Sequence, residues 1–303
     1  MIISMEKPKN GSVTLCGYAK INLFLDVISK REDGYHNIDG VMQSVSLSDT
    51  VTLSAERGED EILLSCSDPS LPTDRRNLAY RAAESFMAAF GISGYRINIE
   101  VEKNIPIAAG MAGGSTDCAA VLKALGQIFD VDKNELFKIA EKLGADVPFC
   151  LYGGTARTAG IGEKLTPAAP MPDCYIVIGR MGEGVSTPVA FSRLDEVLGI
   201  SSREVRHADL SAMTAALGED IHALAPTLYN SFGEAIFPIH EGAELVRRTL
   251  ESTDALKVLL SGSGPSVFAI YDTEEGAEAG YNALGQIGAD RFITRPVRRQ
   301  DEE

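Results

Sequence analysis

Small or apolar residues occupy every second position from Val13 through Leu15, Gly17, Ala19, Ile21, Leu23 and Leu25 to Val27. A period of two over that length marks a β-strand with one face packed against another layer. So long a strand cannot stand alone: its backbone groups need neighbouring strands and its apolar face needs a cover. The opposite face carries Tyr18, Lys20, Asn22 and Asp26. Lys20 and Asn22 therefore project from one side, about 7 Å apart. On the strand pattern alone, Lys20 reads equally well as a solvated charge on an edge strand or as a placed cation.

Strand and helix signals then succeed one another. Strands are expected over residues 41–47, 51–54, 61–66 and 95–101, and a helix over 77–90. Asp132-Lys133-Asn134-Glu135 forms a capping box for a helix that runs to Leu143 and stops at Gly144. Ala145-Asp146-Val147-Pro148-Phe149 follows, then a short apolar run and Gly153-Gly154, which puts Asp146 at a helix-to-strand corner. That position suits a turn former as well as a functional carboxylate. Pro167, Pro170 and Pro172 mark a change in composition, so the chain divides into 1–167 and 168–303. The second part offers a strand over 175–179, several helices between residues 188 and 252, and two strands joined by a tight glycine loop at 261–266. A helix near 274–285 and a strand near 292–297 complete it. The class is α+β, with mixed and antiparallel sheets layered with helices, and 303 residues suffice for two domains with a core each.

The segment Pro106-Ile107-Ala108-Ala109-Gly110-Met111-Ala112-Gly113-Gly114-Ser115-Thr116-Asp117 leads into an apolar helical pattern that begins at Cys118. Gly110, Gly113 and Gly114 lack the Cβ atoms that would stop N–H groups from converging on a ligand. Ser115, Thr116 and Asp117 are good N-cap types, so the positive end of the next helix points into the same space. A phosphate chain suits such a cradle. It is not the nucleotide P-loop, which needs Lys then Ser/Thr after its last glycine, nor the dinucleotide Gly-x-Gly-x-x-Gly turn. A tight turn capping a helix is the plainer alternative.

A formal charge of −15 opposes non-specific nucleic-acid binding, so an anionic substrate must meet a local basic pocket. Cys16, Cys66, Cys118, Cys150 and Cys174 show no Cys-x-x-Cys spacing and read as buried thiols in a reducing compartment. Residues 1–9 lack a basic stretch followed by an apolar one, and no apolar run is long enough to span a bilayer, so a soluble cytoplasmic protein without membrane partners is expected.

Phosphoryl transfer needs a positioned hydroxyl, neutralisation of charge and a proton acceptor. Lys20 and Asp146 are the candidates, because a carboxylate beside a lysine stays ionised while the lysine stabilises a developing oxyanion. Tyr35-His36, after Asp33-Gly34, can stack on and hydrogen-bond a base or sugar, or be a hairpin whose tyrosine packs down. His207, His222 and His240 read as surface residues. Mg²⁺ is expected on phosphate oxygens with one or two protein oxygens, Ser115 the nearest.

Three separated motifs resemble those of the GHMP kinases, whose signature is Pro-x-x-x-Gly-Leu-Gly-Gly-Ser-Ser. They are Ala19-Lys20-Ile21-Asn22-Leu23-Phe24-Leu25 with Asp33-Gly34-Tyr35-His36, then the segment from Pro106 to Asp117, and Ser261-Gly262-Ser263-Gly264-Pro265. The resemblance implies a two-domain fold with the active site in the cleft between domains, and ATP-dependent phosphorylation of a small molecule, a cytidyl diphosphate alcohol. A monomer or weak homodimer is expected. By motif, Asp146 would take the hydroxyl proton, Lys20 would stabilise the alkoxide and Asn22 would orient the acceptor. Pro106 to Thr116 would wrap the ATP phosphates, and Asn77 and Leu78 would border the adenine. Tyr35 and His36 would hold the cytosine, with Phe191 on the opposite ring face. Ala112 replaces a loop glycine, which is tolerable only where φ stays negative. Pro265 removes one N–H donor, so the third loop is expected to contact its ligand through Gly262, Ser263 and Gly264. A related decarboxylase that phosphorylates before eliminating, and a nucleotide-sensing module with an idle catalytic pair, are the competing readings.

Overall fold

The computed structural model describes residues 12–299. Residues 1–9, read above for targeting signals, lie outside that range. The chain forms two compact units. The first takes the described part of Met1–Ala19 with Ser48–Pro106 and Ala112–Tyr152; the second takes Lys20–Leu47, Ile107–Met111 and the described part of Gly153–Glu303. Both units are discontinuous in sequence, unlike the single division after residue 167 that composition leads one to expect. The long strands explain the difference: β1 (Ser12–Lys30) and β2 (His36–Arg57) each contribute one end to each unit.

In the first unit the C-terminal part of β2 runs antiparallel to β4 (Tyr95–Glu102), with Leu53 opposite Ile99, and β3 (Glu61–Cys66) runs parallel to β4. The separate strands expected at 41–47 and 51–54 are one continuous β2, because the intervening Ser48-Asp49-Thr50 holds extended backbone. Helix α1 (Leu78–Phe90) starts on Asn77, whose side chain accepts the Ala79 N–H, a cap that contributes about 1 kcal/mol. Its buried Ala79, Ala82, Ala83 and Phe86 recur at helical spacing, and Gly91 closes it at φ 62°. Helix α2 (Gly113–Phe129) is buried along most of its length. Helix α3 (Lys133–Leu143) is capped by Asp132 and ends at Gly144 as the capping box indicates. Val51, Leu53, Ile97 and Ile99 from the sheet and Phe86, Leu122, Leu125 and Ala140 from the helices share one core.

Two sequence expectations fail here. Helix α2 begins at Gly113, five residues before Cys118, so Ser115, Thr116 and Asp117 lie inside its first turns and do not cap it. Asp146 lies at a helix-to-helix corner, because Val147-Pro148-Phe149 opens the short helix α4 (Val147–Tyr152) where a strand was expected. Proline in a first helical turn loses no backbone bond, and Cys150 N–H donates to the Asp146 carbonyl at 3.0 Å.

In the second unit β5 (Thr155–Gly160) pairs antiparallel with the start of β2 and with β6 (Lys164–Pro167), neither of which the sequence reading contained. A second sheet runs in the order β11-β7-β10-β9, all antiparallel, from β7 (Tyr175–Arg180) and, later, β9 (Lys257–Leu260), β10 (Val267–Tyr271) and β11 (Asp290–Thr294). Between them come α5 (Thr187–Leu198), α6 (Leu210–Ala216), α7 (Ile221–Leu224), the two-residue β8 (Tyr229–Asn230), α8 (Phe232–Ile236) and α9 (Glu241–Glu251), with α10 (Glu274–Gln286) before β11. Val177, Val246, Leu260, Val267, Ala269 and Leu284 are among the residues of the core. The glycine loop at 261–266 joins β9 to β10 as expected, with Val267 opposite Leu260.

The five cysteines form no disulfide; Cys118 and Cys174 are buried as expected, whereas Cys16 is exposed and Cys66 and Cys150 are half-buried. Burial pushes the Cys174 thiol up to about 12 and raises that of Cys118 as well, so both are unreactive. Among the described residues no helix is long and apolar enough to cross a membrane.

Candidate functional site

In the second unit, β1, the residues 107–111 and the β9–β10 loop converge. Lys20 is 5 % exposed and donates from Nζ to Asn22 Oδ1 at 2.7 Å, so it is no solvated edge charge. Lys20 N–H also donates to the Met111 carbonyl at 3.2 Å, which ties the strand to the turn. Gly110 has φ 74°, and a Cβ there would overlap the Ser261 carbonyl oxygen. Ser261 Oγ donates to the Gly110 carbonyl at 3.1 Å. A Cβ placed on Gly262 would lie 3.5 Å from both Asn22 Oδ1 and Lys20 Nζ. Lys20, Asn22, Gly110 and Gly262 therefore lie close together, with the lysine cation among them. That combination suits an oxyanion.

Asn230, absent from the sequence reading, holds this loop: its Nδ2 donates to the Leu260 and Gly262 carbonyls at 2.7 and 2.9 Å. No local pattern marks it. Gly264, expected to offer its amide to a ligand, instead donates that N–H to the Ser261 carbonyl at 2.9 Å, closing the turn on itself. Gly262 and Ser263 remain as the loop's candidates.

In the first unit the N-terminus of α2 carries no side-chain cap. Its preceding residue, Ala112, has φ 60°, so the condition that φ stay negative there is not met. Ala108 has φ 52°. Each left-handed alanine costs about 1 kcal/mol, strain stored in the turn itself. Gly113 and Gly114 lie in helical backbone, so their lack of a side chain opens space and supplies no special dihedral. Gly114 lies against α1, where an added Cβ would be 3.8 Å from Leu78 Cδ1, so Asn77 and Leu78 border the same helix end. Ser115 is half-buried on this turn. The Thr116 hydroxyl faces away from a ligand role: it is buried and donates to the Tyr18 carbonyl at 2.6 Å. Gly17 permits that approach, since a Cβ there would be 2.8 Å from Thr116 Cγ2. Asp117 is buried too, paired with Lys103 at 2.7 Å. Asp146 belongs to this unit and Lys20 to the other.

The Tyr35-His36 segment lies in the second unit. Asp33 shapes its turn, accepting from Tyr35 N–H at 3.1 Å and from Arg31, whose hydrogen bonds hold the Asp33 carboxyl below its ordinary range. Tyr35 is 59 % exposed. His36 is buried, stacked directly on Phe191 with ring centroids 4.5 Å apart and planes 17° from parallel. No base fits between two rings that close, so His36 and Phe191 are not opposite walls of one slot. Phe191 packs edge-on against Phe232 on α8 at 4.9 Å. Asp195, on α5, takes the Nε2–H of His36 at 2.7 Å and pairs with Lys30 at 2.6 Å. A carboxylate on Nε2 leaves Nδ1 of the neutral ring as an acceptor. Asp195 is 159 residues from His36, and nothing in the sequence pairs them.

The other histidines divide. His222 is exposed beside Asp272, while His240 caps α9, its Nδ1 accepting the Ala243 N–H at 2.9 Å. His207 is not a plain surface residue: its ring Nδ1 and its backbone N–H both bond the buried Asp26, at 2.7 Å each.

Comparison with known proteins places these features in a class. The family models for the GHMP kinase N-terminal and C-terminal domains match residues 77–154 and 212–290. The chain belongs to the GHMP kinase family. Among its curated relatives is 4-diphosphocytidyl-2-C-methyl-D-erythritol kinase of Lachnoclostridium phytofermentans, 40 % identical over 291 residues, 93 % of this chain and 97 % of the relative. The protein of that name from Clostridium beijerinckii is 38 % identical over 92 % of this chain and 98 % of its own length. A crystal structure of 4-(cytidine 5'-diphospho)-2C-methyl-D-erythritol kinase superposes with a TM-score of 0.78 at 32 % identity, covering 94 % of this chain and 99 % of that one. Homoserine kinase from Cytophaga hutchinsonii shares the fold, with a TM-score of 0.71 at 18 % identity.

Proposed function

We propose that the chain transfers the γ-phosphoryl group of ATP to the 2-hydroxyl of 4-diphosphocytidyl-2-C-methyl-D-erythritol, a step in the non-mevalonate route to isoprenoid precursors. The observation that carries this reading is the likeness, along more than nine-tenths of the chain, to kinases of that name. Family matches on either side of residue 167 support 1–167 and 168–303 as the sequence domains, and the pathway of the relatives supports a cytoplasmic setting.

The roles are carried over from the family motifs that these residues match. The uncapped first turn of α2, Gly113, Gly114 and Ser115, and the glycine turn from Pro106 through Ala112 receive the phosphates, with Asn77 and Leu78 beside the adenine. Asn22 orients the acceptor hydroxyl. Its proton passes to the Asp146 carboxylate as the oxygen bonds to phosphorus; the bond from phosphorus to the bridging oxygen breaks and ADP leaves. Lys20 and the Gly262 and Ser263 amides stabilise negative charge on the reacting oxygens. Tyr35, His36 and Phe191 form the cytosine end, with Tyr35 as the exposed stacking ring. Mg²⁺ would neutralise the β- and γ-phosphate oxygens. It is a hard ion that keeps waters and prefers phosphate, so a single hydroxyl, that of Ser115, is a fitting protein donor.

An ADP-release assay that offers the cytidyl alcohol beside homoserine, galactose and mevalonate tests the reading. Turnover confined to the cytidyl alcohol is expected. Turnover of another acceptor in its place overturns the substrate.

A further inference from the structure

Beneath the N-terminus of α2 lies a buried ionic cluster that the catalytic roles do not use. Lys103 Nζ bonds both Asp49 Oδ2 and Asp117 Oδ2. The side chains are 7 %, 0 % and 6 % exposed. Asp49 also accepts, at Oδ1, the backbone N–H groups of Asn104 at 2.6 Å and Ile105 at 2.8 Å. These two residues are the stem that enters the Pro106 turn. Asp117 lies on the stem that leaves it, one turn into α2. Lys103 Nζ reaches up to the first residue of that helix, where a Cβ on Gly113 would lie 3.4 Å away. One ammonium thus cross-links the two stems of the glycine turn.

Stability does not account for the arrangement. Two carboxylates share one lysine, and Asp117 Oδ1 is buried with no partner among the described residues. A buried ion cluster left partly unsatisfied is worse for the fold than a well-packed apolar one. Burial accordingly pushes the Asp117 carboxyl up to about 7, against the pull of Lys103 and with the Asp49 charge adding to the rise. What the cluster does supply is a fixed separation of the stems, and with it the direction of the first-turn amides. Positioning of that kind matters where the amides must converge on one anion.

We propose that Lys103, held between Asp49 and Asp117, is a positioning residue for the nucleotide phosphates: it sets the spacing of the turn's stems and so the aim of the Gly113 and Gly114 amides. The proposal rests on the reading of this turn as the ATP site, and does not depend on the identity of the acceptor. Asp49 and Asp117 act through Lys103.

Equilibrium binding of ATP and, separately, of the cytidyl alcohol to the full-length protein and to Lys103→Met and Lys103→Arg tests it. Lys103→Met is expected to weaken ATP by about tenfold while acceptor affinity stays within about twofold, and Lys103→Arg to recover most of the loss. Parallel weakening of both ligands would assign the cluster a general structural role and overturn the proposal, as would unchanged ATP affinity. Should Lys103→Met not fold, Asp117→Asn, which keeps shape and removes charge, decides by the same comparison. A wild-type protein that binds ATP but does not turn over the cytidyl alcohol overturns the proposed substrate and leaves this assignment standing. The two failures are therefore distinct.

Discussion

Substituting Gly110 with alanine tests the whole arrangement of the turn against the β9–β10 loop. The residue sits at φ 74°, where an L side chain costs about 1–2 kcal/mol. The new methyl would overlap the Ser261 carbonyl oxygen and stand 3.1 Å from that of Gly264. Both are backbone atoms, and Ser261 is further tied down by its N–H to the Ser266 carbonyl at 2.8 Å, so no flexible side-chain tip can yield. Relief requires the loop to move by on the order of 1 Å, with a further cost of about 1–2 kcal/mol for disturbed packing. The total, about 2–4 kcal/mol, corresponds to a fall in melting temperature of roughly 3–6 °C for a chain of this size. A protein destabilised to that extent stays folded at 25 °C if it begins near the middle of the usual stability range. The same displacement of groups meant to line an oxyanion reduces kcat/KM by about 10²-fold. Thermal denaturation and steady-state kinetics on one preparation separate the two effects. A Gly110→Ala enzyme that is folded and within about threefold of wild-type kcat/KM would refute the claim that this close approach positions the chemistry.

Asp146→Asn and Lys20→Ala are each expected to lower turnover by about 10²-fold or more with ATP affinity little changed, measured as kcat beside nucleotide binding; equal loss of both would contradict the roles. Tyr35→Ala is expected to raise the KM of the cytidyl alcohol and leave that of ATP unchanged. Asp195→Asn, by weakening the hold on His36 Nε2, is expected to do the same to a smaller extent, and an effect on ATP alone would count against it. The raised carboxyl of Asp117 gives a pH signature: its folded value of about 7 lies above its ordinary 3.8, so its contribution to stability is complete below about pH 4 and is lost as pH rises through 7. Melting curves from pH 4 to pH 8 should show Asp117→Asn flattening that decline, and an unaltered profile would refute the assigned cause.

Much of this was legible along the chain because it depends on residues close in sequence. The alternation at 13–27 yields β1, Asn77 and Asp132 cap the helices that follow them, and Gly144 ends α3. The same local grammar misled at Ser115, Thr116 and Asp117. Their types favour a cap, but α2 starts at Gly113, so that the Thr116 hydroxyl bonds β1 and Asp117 reaches Lys103. Likewise Val147-Pro148-Phe149 reads as a corner before a strand, yet a proline in a first turn is compatible with helix.

Short-range pattern alone determined many of the elements, the glycine turn, and the polar face of β1 that carries Lys20 and Asn22. Tertiary structure decided which side chains meet. Asp195 finds His36, Asn230 finds the Gly262 carbonyl, and Lys103 finds Asp49 and Asp117, across separations that no periodicity encodes. Dihedral preference and apolar spacing act over a few residues, whereas pairing of buried polar groups is dictated by what folding leaves beside them once water is gone.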